Sequence, residues 1–125
     1  MDIAIIGAGY VGLVTGAGLA ELGHRIRIGE TSSDRVVMLE AGDVPIYEER
    51  LPELLSKARD RGAISFHTSN VEAVTGARLI FLCLPTPEGA DGRADLSFIN
   101  EVVDELATEV GEESVFVVKS TVPPG

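Results

Sequence analysis

Three features of the sequence predict an α/β fold, a doubly wound parallel sheet of about five strands with helices on both faces. Short apolar runs alternate with helical segments from end to end. The main runs are continuous rather than alternating apolar with polar, which is how strands buried on both sheet faces read. The first of them enters the cluster Gly7-Ala8-Gly9-Tyr10-Val11-Gly12, which opens a helical stretch. Strand, glycine turn and helix in that order make the architecture Rossmann-type.

The elements follow in turn. Ile3-Ala4-Ile5-Ile6 is a buried strand stopped by glycine. Tyr10 to Leu22 is rich in Ala, Leu and small residues, and Gly23 closes it as a helix end. Ile26-Arg27-Ile28 is the second strand. Ser33 to Ala41 makes a short helix ending at Gly42, and Leu51 to Arg61 another, with Gly62 beyond it. Ile64-Ser65-Phe66 is the third strand, after which Asn70 caps a helix of one to two turns reaching Val74. Leu79 to Leu84 is the strongest strand in the chain, stopped by Pro85. Asp95 caps a long helix whose apolar positions Leu96, Ile99, Val103, Leu106 and Val110 share one face. Val115-Phe116-Val117-Val118 is the last strand. The chain stops soon after, at Pro123-Pro124-Gly125, which reads as the end of a truncated domain covering 1–125. That leaves the fifth strand as an exposed edge able to pair with another chain.

With 125 residues, 45% of them hydrophobic, the chain holds the material for one core. No apolar stretch approaches the roughly 20 residues needed to cross a bilayer. Met1-Asp2-Ile3 lacks the basic start of a secretion signal, so the expected location is cytoplasmic. A net charge of −10 argues against nucleic-acid and anionic-membrane partners, which require a basic face. One cysteine and two histidines (Cys83, His24, His67) make neither a disulfide nor a zinc site. Cys83, set within Phe81-Leu82-Cys83-Leu84, reads as a buried, inert thiol with nothing nearby to lower its pKa.

The glycine cluster carries the chemistry. Gly7 permits the tight turn, Gly9 lets a pyrophosphate approach the backbone, and Gly12 lets helix and strand pack closely. The helix N-terminus then offers free N–H groups and the positive end of its dipole to phosphate. Such a loop predicts an acid about 20 residues on, at the end of the second strand, to grip ribose hydroxyls. Glu30 stands there, and a carboxylate at that point favours NAD over NADP. Thr31, Ser32, Ser33 and Arg35 follow it, and hydroxyls with an arginine suit a phosphate instead. Arg35 is a ribose or adenine contact on one reading and a solvated helix residue on the other. Leu84 and Pro85-Thr86-Pro87 end the fourth strand, where rigid prolines aim Thr86 at the cofactor. Ser120-Thr121 follows the fifth strand, near the expected nicotinamide position. Each hydroxyl has a rival reading as a local cap.

The chain also resembles the N-terminal domain of the UDP-glucose 6-dehydrogenase family, within the UDP-glucose/GDP-mannose dehydrogenase superfamily. The resemblance spans all 125 residues. It rests on Gly7-Ala8-Gly9-Tyr10-Val11-Gly12-Leu13-Val14-Thr15-Gly16, on Glu21-Leu22-Gly23-His24 and on Pro45-Ile46-Tyr47-Glu48. It continues through Thr86-Pro87, Asp91-Gly92-Arg93-Ala94-Asp95-Leu96-Ser97 and Val118-Lys119-Ser120-Thr121-Val122-Pro123. By that resemblance Val11, Glu30, Arg35, Thr86 and Thr121 match cofactor-contact positions, so the expected NAD site comprises these with Gly7, Gly9, Tyr10, Gly12, Leu84 and Pro85. Thr121 also matches the family's threonine near the catalytic water.

The reaction so implied is the oxidation of UDP-glucose to UDP-glucuronate in two steps, using two NAD. Two positions depart from the family pattern: Glu30 replaces an aspartate, and Glu49-Arg50 replaces a Pro-Gly after Glu48. The family's catalytic cysteine, lysine and glutamate, its sugar-nucleotide domain and its dimerisation helix match nothing in this chain. UDP-glucose would therefore bind only with the missing domain, and this fragment would be inactive alone. Two rivals remain: a stand-alone dinucleotide-binding or sensing module, and the cofactor domain of a dehydrogenase acting on GDP-mannose or an N-acetylated UDP-hexosamine.

Overall fold

A computed structural model describes residues 1–44, 48–84 and 97–119. Along the chain it contains β1 (Asp2–Ile6), α1 (Tyr10–Glu21), β2 (Arg25–Gly29), α2 (Ser33–Glu40) and α3 (Leu51–Asp60). These are followed by β3 (Ile64–His67), α4 (Asn70–Val74), β4 (Leu79–Leu82), α5 (Ser97–Ala107) and β5 (Val115–Val118). The strands form one all-parallel sheet in the order β3-β2-β1-β4-β5. The doubly wound architecture expected from the sequence is therefore present.

Strand β1 shows why both faces are covered. Ile3 and Ile5 enter one core, while Ala4 and Ile6 enter the other. The first core is closed by α1, α2 and α3 through residues such as Leu13, Leu39 and Leu55. The second is closed by α4 and α5 through Val74, Ile99, Val102 and Leu106. Helix α1 lies close to the sheet because its inward row is small. A Cβ at Gly16 would sit 3.1 Å from Ile5 Cδ1 and 3.2 Å from Ile28 Cδ1, so even a methyl group crowds the strand below.

The structure corrects several sequence expectations. The fourth strand ends at Leu82, not Leu84. Its partner β1 turns away at Gly7, whose φ of +107° is open only to glycine, so the ladder has nothing to continue against. Ser69 rather than Asn70 caps α4, its hydroxyl accepting from the Glu72 amide at 3.3 Å. In α5 the buried set includes Val102, missed in the sequence reading, because positions three and four residues apart share a helix face. Val110 lies beyond the end of α5 but still packs on that core. Asp95 and Leu96 lie outside the described residues.

Three arginines close helix ends. Arg61 donates to the Ala20 carbonyl of α1 at 2.9 Å. Arg59 donates to the Leu39 and Glu40 carbonyls of α2 at 3.2 and 2.6 Å. Arg27, from the middle of β2, reaches the carbonyls of Ala73 and Thr75 at the end of α4, at 2.9 and 2.7 Å. Each cation adds a donor at the carbonyl end of a helix, where the dipole favours positive charge; the Ala20 and Leu39 carbonyls also accept from the Gly23 and Gly42 amides. No helix among the described residues is long and apolar enough to cross a membrane.

Candidate functional site

The strand order places a topological switch point between β1 and β4. From β1 the chain winds outward to β2 and β3, then returns across β1 to β4 and β5. Loops leaving the carboxyl ends of β1 and β4 diverge there, and in sheets of this kind the resulting crevice is where ligands bind. The segment Gly7–Gly12 leaves β1 at that point, and Cys83 and Leu84 leave β4.

The three loop glycines serve different ends. At Gly7 the backbone itself requires glycine, and an added Cβ would fall on the Cys83 carbonyl oxygen. At Gly12 an added Cβ would fall on the Gly7 carbonyl oxygen and lie 3.3 Å from Ile5 Cγ2. Gly9 is unlike both. Its φ of −84° suits any residue, and a Cβ there meets nothing within 4 Å. Nothing in the described fold requires glycine at that position.

Gly9 is also the N-cap of α1, with no side chain to cap the helix and no acid in the first turn. By contrast, Ser32 caps α2 and Ser69 caps α4. The first intrahelical bond into the Gly9 carbonyl comes from the Leu13 amide at 3.0 Å. Helical geometry therefore leaves the amides of Tyr10, Val11 and Gly12 without intrahelical acceptors. Such an end suits an anion.

Glu30 follows β2 and reaches across to this loop. Its Oε1 accepts from the Ala8 amide at 3.2 Å and its Oε2 from the Ser32 amide at 3.0 Å. Arg35, in the first turn of α2, donates through Nε to the Ala8 carbonyl at 2.8 Å. The same Nε lies 3.9 Å from Glu30 Oε1. Below them the Gly7 amide donates to the Gly29 carbonyl at 2.8 Å, and the Glu30 amide to the His67 carbonyl at 2.8 Å. The spacing rule had located Glu30 but not its bond to Ala8. The Ser32 hydroxyl accepts from the Arg35 amide at 3.4 Å, so it serves the cap of α2.

The remaining expected residues divide. Tyr10 is about half exposed at the helix start, and its hydroxyl donates to Glu48 Oε2 at 3.4 Å. Val11 is also exposed beside the loop. The Leu84 side chain is buried in the second core. Pro85, Thr86 and Thr121 lie outside the described residues, as do Pro45, Ile46, Tyr47 and Ser120. Cys83 is half-buried just past β4 rather than inside the strand. Burial pushes its thiol pKa up, while nearby Lys119 pulls it down, a cation the sequence reading had missed. The net shift is upward, away from a thiolate nucleophile.

A parallel doubly wound sheet with an uncapped, glycine-started helix at its switch point defines a dinucleotide-binding α/β domain. Comparison with known proteins narrows this. The family model described as the UDP-glucose/GDP-mannose dehydrogenase family, NAD binding domain, matches residues 1–125. The UDP-glucose 6-dehydrogenase of Pseudomonas aeruginosa is 41% identical across the whole chain, which spans 28% of that enzyme. A UDP-glucose dehydrogenase structure from Pyrobaculum islandicum superposes with a TM-score of 0.90 at 37% identity, covering 98% of this chain and 29% of that one. A GDP-mannose dehydrogenase from Pseudomonas aeruginosa gives 0.91 at 35% identity, covering 100% and 29%. The chain belongs to the UDP-glucose/GDP-mannose dehydrogenase family and is its NAD-binding domain.

Proposed function

We propose that the glycine loop holds the pyrophosphate of NAD over Gly9, and that the chain is the cofactor-binding part of a UDP-glucose 6-dehydrogenase. One observation carries the first statement. Gly9 is a glycine that nothing in the described fold requires, placed at the open end of α1. A ligand lying against the backbone there supplies the missing reason.

In this reading the Tyr10, Val11 and Gly12 amides donate to the phosphates, and Gly7 and Gly12 set the turn. Glu30 accepts from the ribose hydroxyls: a carboxylate has room for about four hydrogen bonds, and two amides leave capacity. Its charge disfavours a 2′-phosphate. Leu84, Pro85, Thr86 and Thr121 complete the site, and Arg35 borders it through its bond to the Ala8 carbonyl. NAD held there would supply the hydride acceptor for oxidation of the sugar, and Thr121 would be this chain's residue near the catalytic water. The names of the relatives support UDP-glucose as the substrate, and oxidation at its C6 makes UDP-glucuronate the product. Among the described residues β5 is an edge strand with Val115 and Val118 exposed, which supports self-association of this chain; light scattering against concentration tests it.

Calorimetric titration of the chain with NAD, NADH and NADPH tests the cofactor site. NAD and NADH should bind and NADPH should bind more weakly. Tighter NADPH binding would remove the role given to Glu30, and no binding by any of them would remove the site. For the substrate, turnover of UDP-glucose against GDP-mannose by the full-length enzyme decides.

A further inference from the structure

The backbone of Ala8 is held on both its N–H and its C=O by residues of the next βα unit. Its N–H is bound by Glu30 Oε1, its C=O by Arg35 Nε, and the two side chains approach each other to 3.9 Å. Ala8 itself is fully buried. Gly9, the residue proposed to lie under the pyrophosphate, is the next link in the chain. We infer that Arg35 is a positioning residue, which fixes the phosphate loop through the Ala8 carbonyl and so prepares it for the pyrophosphate. This rests on the glycine loop being the NAD site, and assigns Arg35 a role distinct from touching the ribose or adenine.

The atom that matters is Nε. It donates the shorter of the two bonds to Ala8, 2.8 Å against 3.2 Å. Both bonds involve a charged partner, the stronger kind of hydrogen bond. A lysine in place of Arg35 would keep the charge but put a methylene where Nε stands. Arg35→Lys therefore separates the two ways the residue can act. If Arg35 works by attracting a phosphate or ribose oxygen, a lysine largely retains the effect. If it works by holding Ala8, a lysine loses it.

The test measures binding of three probes, NAD, ADP and adenosine, to the unaltered chain, to Arg35→Lys and to Arg35→Gln. The expected result is a loss of about tenfold for NAD and ADP in both variants, the scale of one charge-assisted hydrogen bond. Adenosine, which has no phosphate to place over the loop, should bind all three proteins alike. Amide hydrogen exchange at Ala8 and Gly9 should quicken in both variants, a change that a direct cofactor contact does not produce in the free protein. Parallel losses for adenosine and NAD, or Arg35→Lys binding NAD as the unaltered chain does, would overturn the assignment while leaving the NAD site intact. Failure of the unaltered chain to bind NAD would overturn the site and this role together. If Arg35→Lys fails to fold, the adenosine comparison and the hydrogen exchange of Arg35→Gln decide; if Arg35→Gln fails, Arg35→Lys suffices.

Discussion

Two glycines of helix α1, six residues apart, should respond oppositely to the same substitution. At Gly12 a methyl group lands on the Gly7 carbonyl oxygen. That carbonyl has little freedom to retreat, because Gly7 holds φ +107° and its amide is bound to Gly29. On the other side stands Ile5 Cγ2, at 3.3 Å. Relief requires α1 to lift off the loop, which disturbs the packing of fully buried Leu13. Overpacking of this kind costs about 1–3 kcal/mol, and a backbone obstacle places it at the upper end. The gain from replacing glycine in a helix, at most about 1 kcal/mol, offsets only part of it. Gly12→Ala should therefore be destabilised by about 2 kcal/mol, a fall in Tm of roughly 8 °C for a chain of this size. At Gly18 nothing lies within 4 Å of the added Cβ and the residue is exposed. Gly18→Ala should gain about 0.5–1 kcal/mol, because only the helix term remains. Urea and thermal unfolding of both variants measure the difference. A Gly12→Ala protein as stable as the parent, or a Gly18→Ala protein that falls with it, would refute the packing argument.

Three further outcomes follow from the same geometry. Gly9→Ala should leave the urea midpoint within about 0.5 kcal/mol of the parent, since its Cβ meets no protein atom, yet weaken NAD in calorimetric titration. Equal affinity would show that no ligand lies against Gly9. Arg59→Met removes the two bonds to the end of α2 and should cost about 1 kcal/mol, the exposed side of the usual range, read as a lower urea midpoint. An unchanged midpoint would remove its role as a cap. Because the folded pKa of Cys83 is raised, its protonated form contributes stability at neutral pH that is lost as pH rises through the thiol range. Reaction with a disulfide reagent should accordingly reach its half-maximal rate at higher pH than a free cysteine, and a profile at or below the free one would contradict the burial argument.

The parts of this fold written in local patterns were legible in the sequence. Continuous apolar runs such as Ile3–Ile6 announce strands buried on both faces, and Gly7, Gly9 and Gly12 announce the turn. Spacing alone put Glu30 at the end of the second strand, where the structure has it. What escaped depends on residues distant along the chain but adjacent in space. No window of sequence shows that Glu30 accepts from the Ala8 amide, that Arg35 donates to the carbonyl of the same residue, or that Lys119 stands near Cys83. The helix-closing roles of Arg27, Arg59 and Arg61 are hidden for the same reason, since each partner belongs to another element. The end of β4 was misjudged because a strand stops where its neighbour leaves, and β1 leaves at Gly7. At α4 two adjacent residues were both acceptable caps, and local chemistry does not choose between Ser69 and Asn70.

The arginines that close α1, α2 and α4 have a consequence for how a nucleotide finds this domain. The chain carries a net charge of −10, and these cations face helix carbonyls rather than forming a basic entrance. The positive pole that the proposed site offers to phosphate is made of backbone amides, whose reach is short. At distances beyond the Debye length, about 8 Å at physiological ionic strength, a nucleotide meets mainly screened repulsion. Added salt should therefore speed the association of NADH in stopped-flow measurements, the reverse of an electrostatically steered encounter. An on-rate that falls with salt would place an attractive field at the mouth of the crevice. In the proposed site, recognition would then be a contact event: the protein would repel its ligand from afar and hold it only once the phosphates reach the helix end.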